Sequence, residues 1–245
     1  MRILEGQGVT KFFGGLAAVS HVDFHIDRGE IVGLIGPNGA GKTTLFNLIS
    51  AALPISSGEI RFKGQKLNGL KPHRVCKIGI GRTFQEIKLY VNMPVFQNVL
   101  VGAFFGSPNR ISAADAAREA SQALEFVGLS AMAGDSIQDL TLNNQKRVEV
   151  ARALATGPEL LLLDEFMAGL NSAEVSEAME LVTRIRDKGI TIFMVEHVMK
   201  AIMGICERVM VLDYGEKIAE GTPQEIAANK KVFEIYLGEE THAGS

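Results

Sequence analysis

Tryptophan is absent from this chain of 245 residues, and tyrosine occurs only three times. The two cysteines, Cys76 and Cys206, have neither metal-ligand spacing nor the density of a disulfide scaffold, so both read as small core residues. There is little charge of either sign to spare: Lys+Arg 25 against Asp+Glu 28 gives a net charge of −3. That balance excludes a chain that holds nucleic acid by bulk positive charge. No apolar run approaches the about 18 residues of a spanning helix. The opening Met1-Arg2-Ile3-Leu4-Glu5 lacks the basic-then-apolar plan of a signal peptide. No internal repeat or low-complexity stretch breaks the chain. With 47% apolar and 22% charged residues, the composition is that of a globular, cytosolic protein and not of a disordered or coiled-coil one.

What is present is an alternation of short apolar runs and glycine punctuation. Leu16 to Ile26 places Val22, Phe24 and Ile26 between His21, Asp23 and His25, a half-buried strand of period two. Glu30 to Ile35 is a continuous apolar strand, as a parallel sheet covered on both faces requires. Lys42 to Ala52 reads as a helix, and Glu59 to Phe62 as another strand. From about Glu86 the texture becomes helical, with helices over Ala113 to Val127 and Gln145 to Ala155. Strands return at Leu160 to Leu163, Thr191 to Val195 and Val209 to Leu212. Helices over Ala173 to Arg186 and Val198 to Ile205 separate them. Strands separated by helices predict βαβ units and an α/β fold with a mostly parallel sheet. The expected organisation is one domain over 1–245. Its α/β core spans 1–85 and 156–238, a helical subdomain is inserted at about 86–155, and a frayed tail covers 239–245.

Between a strand and a helix lies Gly36-Pro37-Asn38-Gly39-Ala40-Gly41-Lys42-Thr43, which fits G-x-x-x-x-G-K-[ST]. Glycines without Cβ atoms let successive backbone N–H groups curl around phosphate oxygens, and the helix N-terminus adds its positive dipole end. Lys42 reaches the β- and γ-phosphates, the Thr43 hydroxyl ligates Mg²⁺, and Thr44 continues the loop into the helix. The class is a P-loop nucleotide-binding protein. The guanine-reading Asn-Lys-x-Asp of Ras-type GTPases has its nearest match at Asn229-Lys230-Lys231-Val232, where valine stands for the acid.

A second apolar strand, Leu160 to Leu163, ends in Asp164-Glu165. An acid at the carboxyl end of a buried parallel strand faces the ligand crevice of an open α/β sheet. Asp164 is placed to hold Mg²⁺ through water, and Glu165 to orient or deprotonate the attacking water. Metal-assisted phosphoanhydride hydrolysis follows as the chemistry.

Along nearly its whole length the chain resembles the nucleotide-binding subunit of an ATP-binding-cassette (ABC) transporter. The resemblance implies an ATPase with a P-loop core, an N-terminal antiparallel β portion and an inserted helical subdomain. It assigns Gln85, in Arg82-Thr83-Phe84-Gln85, to contact Mg²⁺ and sense the γ-phosphate, and His197 to hydrogen-bond the γ-phosphate. It gives Phe13 the stacking contact with adenine, with Phe12 as the rival because one of the pair should face the core. The family's signature loop, Leu-Ser-Gly-Gly-Gln, falls on Leu140-Thr141-Leu142-Asn143-Asn144. Thr141 keeps a hydroxyl for the γ-phosphate, while Leu142 and Asn143 replace both glycines. Phe166 stands where proline is usual, and Asn171 at the aspartate of the inter-subunit loop.

Gly81-Arg82-Thr83-Phe84-Gln85, Met167-Ala168-Gly169-Leu170-Asn171, Val195-Glu196-His197-Val198-Met199-Lys200 and Tyr236-Leu237-Gly238 resemble one branch, the LivG-type ATPases of branched-chain amino-acid importers. That branch implies ATP and Mg²⁺ as cofactors and a head-to-tail dimer with an unlike ATPase subunit. It also implies membrane permease subunits, a periplasmic or surface solute-binding protein, no nucleic acid, and a peripheral place on the cytoplasmic face of a prokaryotic inner membrane. The signature loop acts in trans in such dimers, so its altered form is expected to weaken the partner's site and to favour a heterodimer. Glu86 to Val91 is expected to line the groove for the permease loops. Two other readings remain open: a non-hydrolysing ATP-dependent switch, and an importer ATPase for another solute such as urea.

Overall fold

The computed structural model describes residues 1–107, 111–232 and 234. The chain begins with β1 (Arg2–Phe13), β2 (Leu16–Asp27), β3 (Ile31–Ile35), α1 (Lys42–Ile49), β4 (Ser57–Phe62) and β5 (Gln65–Lys66). The middle contains α2 (Pro72–Lys77), β6 (Ile80–Arg82), α3 (Val95–Gly106), α4 (Ala113–Phe126), α5 (Leu142–Leu154), β7 (Leu160–Asp164) and α6 (Ser172–Asp187). It ends with β8 (Thr191–Val195), α7 (Met199–Ile205), β9 (Arg208–Asp213), β10 (Glu216–Gly221) and α8 (Pro223–Ala227). These elements form two compact units, one of Met1–Lys71 with the chain from Thr191 onward, the other of Pro72–Ile190. The sequence stretch Tyr236-Leu237-Gly238 and the tail 239–245 lie outside the described residues.

In the first unit β1 is flanked by β2 and β4, antiparallel on both sides, and β5 closes the edge against β4. The other strands of the unit run β10–β9–β3–β8, with β3 parallel to both β8 and β9 and β10 antiparallel to β9. β3 and β8 are apolar throughout and buried at every position, which is what a strand covered on both faces demands. Three phenylalanines tie the layers together. Phe193 on β8 lies 5.0 Å, centroid to centroid, from Phe46 on α1 and 6.3 Å from Phe24 on β2. Such aromatic pairs add about 0.5–1.5 kcal/mol each beyond their buried area. Phe24 belongs to the alternation read in the sequence: Val22, Phe24 and Ile26 are buried, and His21 and Asp23 are exposed.

In the second unit β6 and β7 pair in parallel, and α3, α4 and α5 pack on one another. α3 carries no periodic polar face, so periodicity gave no sign of it. Its buried Asn98 explains how the chain enters it. The Asn98 amide accepts from the Tyr90 N–H at 2.7 Å and donates to the carbonyls of Tyr90, Met93 and Pro94. Every polar contact of that buried side chain serves the turn before α3, as a buried amide requires.

Two boundaries differ from expectation by three residues, for local reasons. α1 stops at Ile49, not Ala52, because Ala51 takes a left-handed conformation (φ 55°) and the Leu53 N–H turns back to the Asn47 carbonyl. α5 begins at Leu142, not Gln145. Thr141 caps it by accepting the Asn144 N–H, so the signature stretch is itself the first helical turn. Cys206 is buried as expected, and burial pushes its thiol up to about 12. Cys76 is only partly buried.

Candidate functional site

The phosphate loop leaves the carboxyl end of β3 and closes on α1, all within the first unit. Gly36 (φ 150°) and Gly41 (φ 99°) are the two positions where only glycine serves. A Cβ on Gly36 would overlap the Leu212 carbonyl oxygen, and one on Gly41 would overlap that of Ala18. The loop is pinned from outside by the Gly215 N–H, which donates to Ala40 O at 3.1 Å. Lys42 is buried, and its ammonium donates to the carbonyls of Gly36 (2.6 Å) and Pro37 (2.8 Å). α1 has glycine at its N-cap and no acid in its first turn, so its own first turn supplies no negative charge to its positive end. A loop whose backbone is fixed by two glycines, a buried cation and a helix N-terminus together fit a polyphosphate.

A first prediction follows from Gly41. Gly41→Ala combines positive φ with a backbone clash, so it is expected to destabilise the chain by more than about 1 kcal/mol and to abolish ATP binding. Denaturant titration and a fluorescent-nucleotide binding assay check the two halves.

His197 leaves the same end of the same strands. Leu34 and Val195 are register partners in the parallel β3–β8 pair; Gly36 lies two residues past the one, His197 two past the other. His197 is exposed. Phe13 and Phe12 are both 47% exposed, so neither faces the core, contrary to expectation. Past Thr10, the last residue of β1 that pairs with β4, the strand continues only as a hairpin with β2. The Lys11 ammonium lies 5.2 Å from the centre of the Phe13 ring.

In the second unit, β6 and β7 bring the other candidates to one end. Arg82 pairs with Leu162 in register; Gln85 follows the one strand, Asp164 and Glu165 the other. The Gln85 Nε2 donates to Glu165 Oε2 at 3.0 Å, so these two predicted residues touch. Asp164 is buried, its N–H donating to Thr83 Oγ1 at 3.2 Å. Its carboxylate accepts from Arg82 Nη2 at 3.0 Å, with the two side chains only 1% and 7% exposed. Burial pulls the Arg82 pKa down, against the opposing pull of Asp164.

Arg82 was not among the predicted residues. Its available signal was its place in the stretch Gly81-Arg82-Thr83-Phe84-Gln85, where it closes the short strand Ile80-Gly81-Arg82. Three residues of α5 were missed as well: Lys146, Glu149 and Arg152. Lys146 donates to the carbonyls of Glu165 (3.1 Å) and Phe166 (2.9 Å). Glu149 accepts from the Lys88 N–H, and Arg152 donates to the Lys88 carbonyl at 2.6 Å. Burial raises the Glu149 pKa, chiefly opposed by that backbone hydrogen bond. Their spacing of three along a helix was the readable sign that they share a face. Asn171, in turn, caps α6 by accepting the N–H groups of Ala173 and Glu174.

Gln85 and Asp164 in the second unit offer an amide oxygen and a carboxylate, and Thr43 in the first unit a hydroxyl, each an oxygen donor of the kind that suits Mg²⁺. A glycine-rich phosphate loop between β3 and α1 defines the chain as a P-loop nucleotide-binding protein. The family model for ABC transporters matches residues 19–168, and the chain belongs to that family. A second model, of branched-chain amino acid ATP-binding cassette transporters, matches residues 216–242. The chain is 40% identical to the high-affinity branched-chain amino acid transport ATP-binding protein LivG of Escherichia coli K12, over 97% of this chain and 98% of that one. It is 37% identical to the BraF protein of the same description from Pseudomonas aeruginosa, with the same coverage. Among solved structures, the ADP conformation of an ABC transporter cassette superposes with a TM-score of 0.89. Identity there is 29%, over 97% of this chain and 99% of that one. Among the described residues, no helix is long and apolar enough to cross a membrane.

Proposed function

We propose that this chain is the ATP-hydrolysing subunit that energises an importer of branched-chain amino acids. The observation that carries the reading is the joint one: a phosphate cradle and an acid pair, in a chain collinear with LivG and BraF over 97% of its length. In this reading the loop from Gly36 to Thr44 grips the phosphates of ATP and Phe13 stacks on adenine. Thr43, Gln85 and Asp164 would hold Mg²⁺, which would neutralise charge on the phosphates. Glu165 orients and deprotonates the attacking water, and His197 donates to the γ-phosphate oxygens. Thr141 and Asn143 face the nucleotide of a second, unlike cassette. Permease subunits receive the exposed segment that includes Tyr90 and Val91, and a solute-binding protein supplies the amino acid outside. The chain would then sit on the cytoplasmic face of a prokaryotic inner membrane.

The altered signature favours the unlike partner. Asn143 is buried in the first turn of α5 and its Oδ1 has no hydrogen-bond partner, where a glycine would leave open backbone. The purified chain alone is expected to turn over ATP slowly, and Asn143→Gly to raise the rate. Co-assembly with an unlike cassette and the permease in vesicles should give ATP-dependent leucine uptake. Fast turnover by the chain alone, unchanged by Asn143→Gly, would remove the heterodimer. Uptake of urea but not leucine would reassign the solute, and no hydrolysis in any assembly would leave a nucleotide switch.

A further inference from the structure

We propose that Lys146 is a positioning residue for Glu165, acting through the main chain and not through the carboxylate. The proposal rests on the reading of Glu165 as the residue that activates water. Glu165 is one of few non-glycine residues with a left-handed backbone (φ 50°), a conformation that persists only where its surroundings over-determine it. In an extended strand, successive carbonyls point to opposite sides. Here the carbonyls of Glu165 and Phe166 converge on one ammonium, that of Lys146, at 3.1 and 2.9 Å. The bend and the cation are therefore two halves of one device.

Burial makes the device costly and specific. Lys146 is 6% exposed, and a buried ammonium needs its protons satisfied. Two of its three donors meet those carbonyls. Glu149, one turn further along α5 and also buried, supplies charge of the opposite sign nearby. The direction in which the Glu165 side chain leaves the backbone follows from its φ, so relaxing the bend would carry the carboxylate away from Gln85 Nε2. The other side of that contact is held by the same helix. Glu149 and Arg152 clamp the N–H and carbonyl of Lys88, three residues past Gln85. α5 thus grips the backbone on both sides of the Gln85–Glu165 pair, and its own first turn is Leu142–Gln145.

The test compares steady-state and single-turnover ATP hydrolysis by the assembled transporter carrying wild-type chain, Lys146→Met, Lys146→Arg, Glu165→Gln, or Lys146→Met with Glu165→Gln. Lys146→Met is expected to lower kcat by about ten- to a hundred-fold with KM for ATP within about twofold of wild type. Lys146→Arg should recover most of the loss, because a guanidinium can donate to both carbonyls. In the Glu165→Gln background, Lys146→Met should add almost nothing, since the group it positions is already gone. An equal loss in both backgrounds, or a raised KM with unchanged kcat, overturns the proposal. If Lys146→Met fails to fold, Lys146→Gln, which keeps one donor, carries the same comparison. Wild-type turnover in Glu165→Gln would instead overturn the reading of Glu165 on which the proposal stands.

Discussion

Glu165→Gln is expected to lower ATP turnover by about 10²–10⁴-fold, the range a positioned general base supplies, while leaving ATP affinity close to wild type. The substitution keeps size and shape, and its amide oxygen can still accept from Gln85 Nε2. What it loses is the capacity to take a proton from water. Lys42 is held by the Gly36 and Pro37 carbonyls, and Gly36 and Gly41 are set by their contacts with Leu212 and Ala18, all of which the substitution leaves in place. The backbone bend at Glu165 survives too, because Lys146 holds carbonyls that glutamine retains. The expected signature is therefore a fall in kcat without a matching change in KM, which assigns the interaction to the transition state. Steady-state turnover with equilibrium nucleotide binding measures both. A fall of less than about tenfold would move the base elsewhere, with His197 the next residue to test.

The parts of the site legible in the sequence are those whose chemistry is local. The phosphate loop reads directly because the backbone conformations its glycines permit and the Lys42 that follows lie within eight residues. Asp164-Glu165 reads because an apolar run ending in two acids is itself the geometry of a buried strand meeting a crevice. Arg82 does not read, because its meaning depends on a carboxylate 82 residues away that only the β6–β7 pairing brings within 3.0 Å. Lys146 is hidden in the same way: its partners are backbone carbonyls, which carry no side-chain signal. The antiparallel strand β1 was obscured by register shifts around Gly6 and Val9 that break the alternation of period two. The family pattern made the signature stretch look like a loop, but without glycines and with Thr141 as a cap it winds into α5.

Removing the cation from the Arg82–Asp164 pair should be among the most damaging single changes to stability in this chain. Arg82→Met leaves the Asp164 carboxylate buried without its guanidinium, and breaking a buried pair from one side costs about 3–5 kcal/mol. At about 2–4 °C per kcal/mol for a chain of this size, the midpoint of thermal unfolding should fall by about 10 °C. Asp164→Asn should cost a similar amount from the other side, since the arginine, whose charged form burial already disfavours, would lose its strongest counter-charge. The double variant Arg82→Met with Asp164→Leu removes both charges. It is expected to unfold at a higher temperature than either single variant, because apolar groups of similar volume carry no desolvation penalty. It should nevertheless be inactive, for the carboxylate placed to hold Mg²⁺ is gone while Glu165 remains. Thermal denaturation of the four proteins without nucleotide, alongside their ATP turnover, separates the two roles. If the double variant is no more stable than the singles, the pair is not coupled as its geometry requires. If Arg82→Met unfolds with the wild type, the Asp164 carboxylate does not depend on Arg82 for its counter-charge.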